Sequence, residues 1–197
     1  MPRRFTAFGR DPVSVARSLL GQRLVRVIDG QRLGGRIVEV EAYLGAADRA
    51  AHTFNGRRTK RNQSMYLPGG HAYVYFTYGM HYCLNVVCGS AGDGVAVLLR
   101  ALEPTEGLEL MFGRRRKARS ATDLCSGPAK LTQALGIERS LDGTDLRTSE
   151  VLLIERVSPT LPRPRIGATK RVGVDYAGAW AARRLRFFVK GNPHVSR

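Results

Sequence analysis

The sequence predicts an α+β protein: a single domain, residues 1–197, with a mostly antiparallel, curved β-sheet core, surrounding helices and a protruding β-hairpin. Short segments in which apolar and polar residues alternate recur along the chain, as is typical of half-buried strands. Compact turn sequences such as Asp29-Gly30 connect neighbouring segments, which favours antiparallel pairing. With 197 residues and neither an internal repeat nor an obvious linker, the chain has room for one domain with a sizeable core.

The first elements along the chain are a short helix and a strand. Asp11 is suited to an N-cap and Pro12 to the first helical position, so we expect an amphipathic helix that continues to about Leu20. The apolar pattern of residues 23–28 predicts the first strand, which Asp29-Gly30 ends with a tight turn.

Residues 36–44 alternate clearly and predict a second strand. Its apolar face consists of Val38, Val40, Ala42 and Leu44, and the opposite face of Glu39, Glu41 and Tyr43. This spacing places the carboxylates of Glu39 and Glu41 within about 7 Å of each other. Such a pair either divides into an ionised base and a protonated acid or is solvated and offsets nearby arginines. The spacing alone favours the solvated arrangement.

The middle of the chain predicts a long loop followed by an aromatic hairpin. Residues 46–70 are polar, basic and rich in turn residues, and loops of this length are usually functional. Residues 71–87 predict two strands joined near Tyr78-Gly79. Tyr73 and Tyr75 share a strand face. They either stabilise the sheet as cross-strand aromatic pairs or form a platform on which bases stack. Tyr78 at the tip has no core to enter, which favours the second interpretation.

The remaining elements follow from shorter patterns. We expect a turn at 89–94, a buried strand over 95–102, a helix over 105–111, a basic segment over 114–119, a helix from Gly127-Pro128 to Leu135, strands over 151–157 and 185–189, and a proline-rich connection over 159–164. The segment 126–130 at the start of the second of these helices offers N–H groups, a hydroxyl and a lysine to an anion such as phosphate.

The charge balance indicates a polyanionic partner. Lys and Arg number 32 against 16 Asp and Glu, a net charge of +16, and such a field attracts nucleic acid first and anionic membrane second. No stretch has the ~18 consecutive apolar residues of a membrane helix, and no secretory signal is visible. Three cysteines at unpromising spacings indicate a reducing compartment, and the four histidines lack metal-ligand spacing. We therefore expect a cytoplasmic protein, nucleoid-associated if bacterial, without a metal site.

Six segments in order, spread over nearly the whole chain, are familiar. The segments 38–45 (VEVEAYLG), 73–80 (YVYFTYGM), 98–104 (LLRALEP) and 124–130 (LCSGPAK) resemble the alkyladenine (3-methyladenine) DNA glycosylase family. Residues 171–174 (RVGV) and 191–193 (GNP) are similar to its C-terminal signatures. The long basic N-terminal extension of some relatives is absent, so the chain resembles the bacterial-type minimal domain of that family.

The resemblance implies a monofunctional base-excision enzyme that flips a damaged purine out of duplex DNA and hydrolyses its N-glycosidic bond. The implied substrates are alkylated or deaminated purines: 3-methyladenine, 7-methylguanine, hypoxanthine and ethenoadenine. No metal or organic cofactor is implied, because water is the nucleophile. The implied partner is double-stranded DNA containing damaged purines, and we expect a monomer.

The resemblance also assigns roles to individual residues. Glu41 would be the general base that activates water for attack at the sugar C1′ carbon, since an oxocarbenium-like centre favours an adjacent carboxylate. Arg100 would hold that water and the flanking phosphate, and the main-chain carbonyl of Val172 is expected at the same water. An arginine near Glu41 would favour its ionised form, whereas burial would oppose ionisation.

Base recognition and DNA contact are carried over in the same way. Tyr43 would stack on one face of the flipped purine and His52 and Tyr75 on the other, while Asn85 would crowd the 2-amino group of guanine and Leu98 would line the pocket. The backbone N–H of His52 would read the purine 6-position. Residues implied to contact DNA are Tyr78, which would fill the gap left by the flipped nucleotide, Met80 beside it, and Arg57, Arg61 and Lys130 at phosphates.

Two other classes of function remain open from the residues alone. A non-catalytic protein that binds damaged or distorted DNA would use the same aromatic residues, but it would gain nothing from a carboxylate such as Glu41 among the phosphates. The hypothesis of an RNA-modifying or ribosome-associated protein rests on the positive net charge alone.

Overall fold

The computed structural model describes residues 3–158 and 164–196, and among them eight strands form one antiparallel sheet. The strands are β1 (Arg23–Ile28), β2 (Gln31–Tyr43), β3 (Ala72–Thr77), β4 (His81–Cys88), β5 (Val95–Glu106), β6 (Leu152–Glu155), β7 (Ile166–Thr169) and β8 (Arg186–Val189). The helices are α1 (Pro12–Leu19), α2 (Leu108–Arg114), α3 (Ala121–Leu124) and α4 (Pro128–Leu135). The predicted α+β class is confirmed.

The sheet order is β3-β4-β5-β2-β1-β6, and β8 adds to β2 and carries β7. The long strand β2 is the centre of this arrangement, because it pairs with β1 and β8 on one side and with β5 on the other. Helices α1 and α4 cover the sheet with buried apolar side chains, among them Leu19 and Leu131. Burying such side chains supplies the main free energy of folding.

The first helix and turn form as predicted. The Asp11 carboxylate accepts hydrogen bonds from the backbone N–H groups of Val13 and Ser14, both at 3.0 Å, which satisfies two donors of α1 that lack helical partners. Asp29 and Gly30 have φ values of 50° and 75°, as a two-residue turn matched to the strand twist requires.

Several predicted boundaries are wrong, among them the start of a helix and the start of a long strand. The helix expected over 105–111 begins only at Leu108, because β5 continues to Glu106 and pairs there with β2. Arg23 and Arg32 form ion pairs with the Glu106 carboxylate at 2.7 and 2.8 Å, which holds this end of the strand in the sheet. The strand expected over 36–44 begins earlier, at Gln31, since the turn places residues 31–36 against β1.

The C-terminal part contains elements that the sequence patterns did not predict. Strand β7 and helix α3, of four residues each, are too short to carry a periodic signal. The strand expected over 151–157 is limited to β6, and that over 185–189 is β8. The proline-rich connection expected over 159–164 lies, except for Pro164, outside the described residues.

The aromatic segment forms the predicted hairpin of β3 and β4, with Thr77 opposite His81. Tyr78 and Gly79 form its tip with φ values of 51° and 66°. The Tyr78 side chain is 84% exposed and Met80 is 68% exposed, so the tip projects into solvent.

Helices long and apolar enough to cross a membrane are absent from residues 3–158 and 164–196. Within the same ranges, no group of three or more His, Cys, Asp and Glu side chains is arranged to hold a metal ion.

Candidate active site

A row of four side chains crosses the sheet and defines one wall of a cavity. Glu41 on β2 lies opposite Leu98 on β5, Leu98 opposite Asn85 on β4, and Asn85 opposite Tyr73 on β3. Side chains directly opposite each other in an antiparallel sheet point to the same face. All four line a cavity of about 310 Å³, which is large enough for a flat bicyclic ring.

Aromatic rings form much of the remaining wall. The His52 and Tyr75 rings are 4.6 Å apart and nearly perpendicular, and the Tyr73 and Tyr75 rings are stacked at 5.3 Å. Tyr43 lines the same cavity. The structure therefore brings together Tyr43, His52 and Tyr75, three residues from separate elements that the resemblance assigned to base binding. Such rings bind planar ligands through stacking and edge contacts.

Glu41 is fully buried in the wall of this cavity. Its Oε1 atom accepts a hydrogen bond from the Val172 backbone N–H at 2.8 Å and lies 3.2 Å from Nη1 of Arg100, while Oε2 accepts from the Tyr43 hydroxyl at 2.9 Å. Burial raises the pKa of Glu41, and Arg100, the Val172 N–H and the Tyr43 hydroxyl oppose that rise. The result is a desolvated carboxylate in a fixed orientation, as a general base requires.

Glu39 is also fully buried, so the solvated arrangement of the two glutamates is wrong. Strand β8 adds to β2 at residues 39–41 and encloses this edge of β2, which removes the carboxylates from water. The Glu39 Oε1 atom accepts a hydrogen bond from Nε of Arg100 at 2.9 Å. Arg100 thus contacts both carboxylates, Glu39 through Nε and Glu41 through Nη1.

Arg100 lies at a β-bulge of β5 beside these carboxylates. Val40 pairs with Leu99 and Glu39 with Ala101, so Arg100 is an additional residue of β5 without a partner of its own on β2. A bulge of this kind redirects one side chain and is common beside functional sites. The sequence segment 98–104 pointed to Arg100, and alternation from Leu98 places it on the same face of β5, where both side chains line the cavity.

The long loop places His52 against the tyrosines. The Asn62 side-chain amide donates to the His52 backbone carbonyl at 2.9 Å and to the Arg57 carbonyl at 2.8 Å, which joins the two ends of this loop segment. The His52 ring is hydrogen-bonded through Nδ1 to the Tyr73 hydroxyl at 2.8 Å. Burial, assisted by the charges of Arg61 and Arg57, lowers the pKa of His52 to about 4. The imidazole is therefore neutral at physiological pH.

The sequence did not predict the buried ion pair between Arg171 and Asp48, which packs against the Tyr43 side of the cavity wall. Arg171 donates to both carboxylate oxygens of Asp48, at 2.5 and 2.8 Å, and both side chains are fully buried. The guanidinium carbon of Arg171 lies 4.8 Å from the centre of the Tyr43 ring. Arg171 begins the segment 171–174 noted above, but no sequence signal identifies Asp48, because the two residues are 123 positions apart.

The amide of Asn85 is also fixed by the sheet. Its side-chain nitrogen donates to the Tyr73 backbone carbonyl at 3.2 Å, and both Asn85 and Leu98 are 4% exposed. The Cys83 thiol, opposite Tyr75 and hydrogen-bonded to it, adds a small apolar surface, and burial raises its pKa. The floor of the cavity therefore consists of buried side chains, one of which is held by a hydrogen bond.

The residues assigned to DNA contact surround the cavity on the exposed surface. Tyr78 lines its mouth, and Arg57 and Arg61 extend from the loop into solvent. The Arg61 guanidinium also donates to the Phe76 carbonyl at 2.7 Å, which ties the loop to the hairpin. Lys130 is half-exposed near Pro128 and forms an ion pair with Asp123.

Val172 lines the cavity and contacts Glu41 through its main chain. Its backbone N–H donates to Glu41 and its side chain is 46% exposed, while the role of its carbonyl at the water stays a prediction. The N–H donor stabilises the ionised carboxylate.

The fold thus places an aromatic cavity beside a buried, hydrogen-bonded carboxylate. Residues 6–193 match the sequence profile of the methylpurine-DNA glycosylase family. The chain belongs to this family.

Named relatives agree with that assignment. The human DNA-3-methyladenine glycosylase is 49% identical over 96% of this chain and 66% of its own length, and the mouse protein of the same name is 47% identical over 96% of this chain and 59% of its own length. A Natranaerobius thermophilus protein, named provisionally as a 3-methyladenine DNA glycosylase, is 43% identical over 96% of each chain. The chain thus spans less than two thirds of the mammalian relatives and nearly all of the bacterial one.

Proposed function

We propose that this protein is a DNA repair glycosylase that flips an alkylated or deaminated purine out of duplex DNA and hydrolyses its N-glycosidic bond. One observation supports the proposal above all others. Glu41 is a buried carboxylate, oriented by Arg100 and the Val172 N–H, in the wall of an aromatic cavity of about 310 Å³. A protein that only binds DNA has no use for a desolvated negative charge at this place.

In this mechanism water attacks C1′ of the flipped nucleotide on the face opposite the base. The C1′–N bond breaks with its electron pair leaving on the base, and Glu41 accepts the proton of the attacking water. The same carboxylate offsets the positive charge that develops on the sugar. Arg100 holds the water and the flanking phosphate, and Val172 contributes its main chain beside them. The sugar is left with a hydroxyl at C1′, so the product is an abasic site and a free base.

The aromatic residues select a purine that carries a positive charge or has weak pairing. N3- or N7-alkylation makes the ring cationic, and the rings of Tyr43 and Tyr75 favour a cation on their faces. His52 is neutral because its pKa is about 4, so it stacks without repelling such a base. A weakly paired base such as hypoxanthine is also easier to extrude from the duplex. The implied substrates are therefore 3-methyladenine, 7-methylguanine, hypoxanthine and ethenoadenine.

The floor of the cavity excludes normal guanine. Asn85 is held by the Tyr73 carbonyl and cannot move away from an exocyclic 2-amino group. Leu98 beside it presents no acceptor to that group, so guanine would lose hydrogen bonds on entering the cavity. Adenine lacks the 2-amino group and avoids this penalty. 7-Methylguanine carries the group and enters because its cationic ring binds the aromatic faces more strongly than neutral guanine does.

The exposed residues around the cavity bind the duplex. Tyr78 enters the minor groove and fills the gap left by the flipped nucleotide, with Met80 beside it. Arg57, Arg61 and Lys130 contact phosphates, with Lys130 exchanging Asp123 for the DNA backbone. The net charge of +16 adds a salt-dependent attraction to any DNA.

A single-turnover experiment tests the proposal. The protein, in excess, is incubated with duplexes that carry one hypoxanthine or one ethenoadenine, and abasic sites are then cleaved with alkali. Strand scission at the lesion by the wild-type protein, together with loss of at least about 100-fold in rate in Glu41→Gln, is expected, because removing a general base costs about 10²–10⁴-fold. Glu155→Gln is the matched control, since Glu155 is equally buried but lies on β6, away from the cavity.

Three other outcomes contradict all or part of the proposal. Normal excision by Glu41→Gln would show that the catalytic assignment is wrong. Lesion-selective binding without scission would instead favour a non-catalytic protein for damaged or distorted DNA. Equal affinity for lesion-containing and undamaged duplex, without scission, would leave only a basic DNA-binding protein.

A further inference from the structure

We propose that Glu39 is a positioning residue for base release, through which β8 and the C-terminal segment around Ser196 fix Arg100 in the orientation that serves Glu41. This inference rests on the proposed function, since it assigns a further residue to the same reaction. Glu39 does not line the cavity, so it acts through Arg100 and not on the substrate.

The carboxylate of Glu39 interacts with donors from three separate parts of the chain: β5, β8 and the C-terminal segment. Its Oε1 accepts from Arg100 Nε at 2.9 Å and from the Ser196 hydroxyl at 2.8 Å, and lies 3.4 Å from Nη1 of Arg186. Its Oε2 accepts from the Ser196 backbone N–H at 2.7 Å. A fully buried carboxylate with this many donors has one orientation, because any rotation leaves a charge and several donors unpaired.

Arg100 depends on that orientation. As a bulge residue, it has no partner of its own on β2, and its side chain is held at Nε by Glu39 and at Nη2 by the Ser196 hydroxyl at 3.4 Å. Only Nη1 is directed to Glu41, at 3.2 Å. A guanidinium is planar and rigid, so fixing Nε and Nη2 determines where Nη1 points.

The charge of Glu39 also acts on Glu41. Several groups face Glu41: Arg100 from β5, Tyr43 and Glu39 from β2, and Tyr75 and Cys83 from the hairpin. Arg171 and the Val172 N–H face it from the segment between β7 and β8. Among the described groups, Glu39 is the acidic neighbour that opposes ionisation of Glu41. Removing the charge of Glu39 while keeping its shape therefore lowers the pKa of Glu41. Arg100 then forms an ion pair with the Glu41 carboxylate alone.

Two substitutions distinguish the effect of the negative charge of Glu39 from the effect of its side-chain length. Glu39→Gln keeps the length and removes the charge, so the acid limb of the single-turnover rate profile moves to lower pH. Glu39→Asp keeps the charge and is one methylene shorter, so Arg100 moves and the plateau rate falls by about 100-fold, as for a misplaced catalytic group. Any shift of its acid limb is to higher pH, opposite to that of Glu39→Gln, because Arg100 lowers the pKa of Glu41. Affinity for lesion duplex falls much less than the rate in both variants, because Glu39 affects DNA contact only through Arg100, which is one of several proposed phosphate contacts.

Two further variants keep the proposal testable if the Glu39 substitutions unfold the protein. Ser196→Ala removes one hydroxyl from the network and is expected to slow base release roughly three- to tenfold, the equivalent of one hydrogen bond. Glu155→Gln removes a buried carboxylate that pairs with Arg32 at 2.8 Å, far from the cavity. It reports what a lost buried charge does to stability alone, and its pH profile stays that of wild type.

The proposal is overturned if Glu39→Gln and Glu39→Asp share the wild-type acid limb and plateau, or if their rates fall only as far as that of Glu155→Gln at equal loss of melting temperature. A ¹³C NMR titration of the Glu41 carboxyl in wild type and Glu39→Gln gives an independent readout. An inactive wild-type protein would refute the proposed function, while an unchanged Glu41 titration in Glu39→Gln would refute the role of Glu39 whether or not the protein is active.

Discussion

Replacing Asp48 by asparagine leaves the Arg171 guanidinium buried without a counter-charge. The structure gives this pair two short hydrogen bonds, at 2.5 and 2.8 Å, and no exposure of either side chain. Asp48 also accepts from the backbone N–H groups of Leu44 and Ala50 at 3.1 and 3.0 Å, so the loop after β2 loses anchors too. Removing one partner of such a pair costs about 3–5 kcal/mol. For a chain of this size that corresponds to a loss of roughly 6–20 °C in melting temperature.

The assay is urea unfolding followed by circular dichroism and fluorescence, with coincident transitions as the test of two-state behaviour. Asp145→Asn is the control, because the Asp145–Arg147 pair at 2.8 Å is 27% and 40% exposed. An exposed pair contributes at most about 1 kcal/mol, so this variant unfolds close to wild type. If Asp48→Asn lowers the unfolding free energy by less than about 1 kcal/mol, the buried Asp48–Arg171 pair contributes no more to stability than an exposed pair.

A double replacement separates the loss of the ion pair from the burial of an unpaired charge. Asp48→Leu combined with Arg171→Met removes both charges, and apolar pairs of similar volume often match buried ion pairs in stability. The double variant is therefore expected to be more stable than Asp48→Asn. Its rate of base release still falls, because Arg171 lies behind the Tyr43 ring and precedes Val172, whose N–H donates to Glu41.

Three other predictions follow from single features. Base release by the wild type requires ionised Glu41, so its single-turnover rate decreases as pH falls through a pKa above the ordinary value of 4.5, and a rate independent of pH in that range would contradict the role of this base. Tyr78→Ala, at an 84% exposed side chain, changes the unfolding free energy by less than about 0.5 kcal/mol. In anisotropy titrations the same variant weakens lesion-duplex binding roughly 5- to 150-fold, the value of one lost stacking contact, and unchanged binding would remove Tyr78 from the interface. Gly35→Ala places a Cβ 2.5 Å from the Glu103 carbonyl oxygen and is destabilised by about 1–3 kcal/mol in urea, whereas Gly113→Ala, in open space on α2, gains up to about 1 kcal/mol.

Local signals in the sequence were sufficient for much of the fold. The N-cap Asp11, the Asp29-Gly30 turn and the Tyr78-Gly79 hairpin each act over a few residues, and the structure confirms all three elements. The long strand β2 was only partly predicted, because Gly34 and Gly35 interrupt its pattern. Those glycines are required by close packing: a Cβ on Gly34 would lie 2.8 Å from the Leu24 carbonyl oxygen.

The candidate site was predictable only where motifs marked it. Residues of the familiar segments, such as Glu41, Tyr75 and Arg100, line one cavity, although their chemical roles stay predictions. The pattern around Glu39 and Glu41 favoured solvent exposure, and this was wrong because β8, about 145 residues later, covers that edge. Alternation within a strand does not reveal which distant strand will enclose it.

The late arrival of β8 has a consequence for how the protein is made. Residues 39–41 of β2 stay an open strand edge until residues 186–188 pair with them, and at about 5–20 residues per second roughly 145 residues take about 7–30 s to synthesise. Unpaired edges invite intermolecular β-sheet, and charged side chains pointing inward are a common defence against it. Glu39 and Glu41 are inward-pointing charges of this kind, so the open edge of the nascent chain carries a feature that disfavours such pairing until β8 covers it.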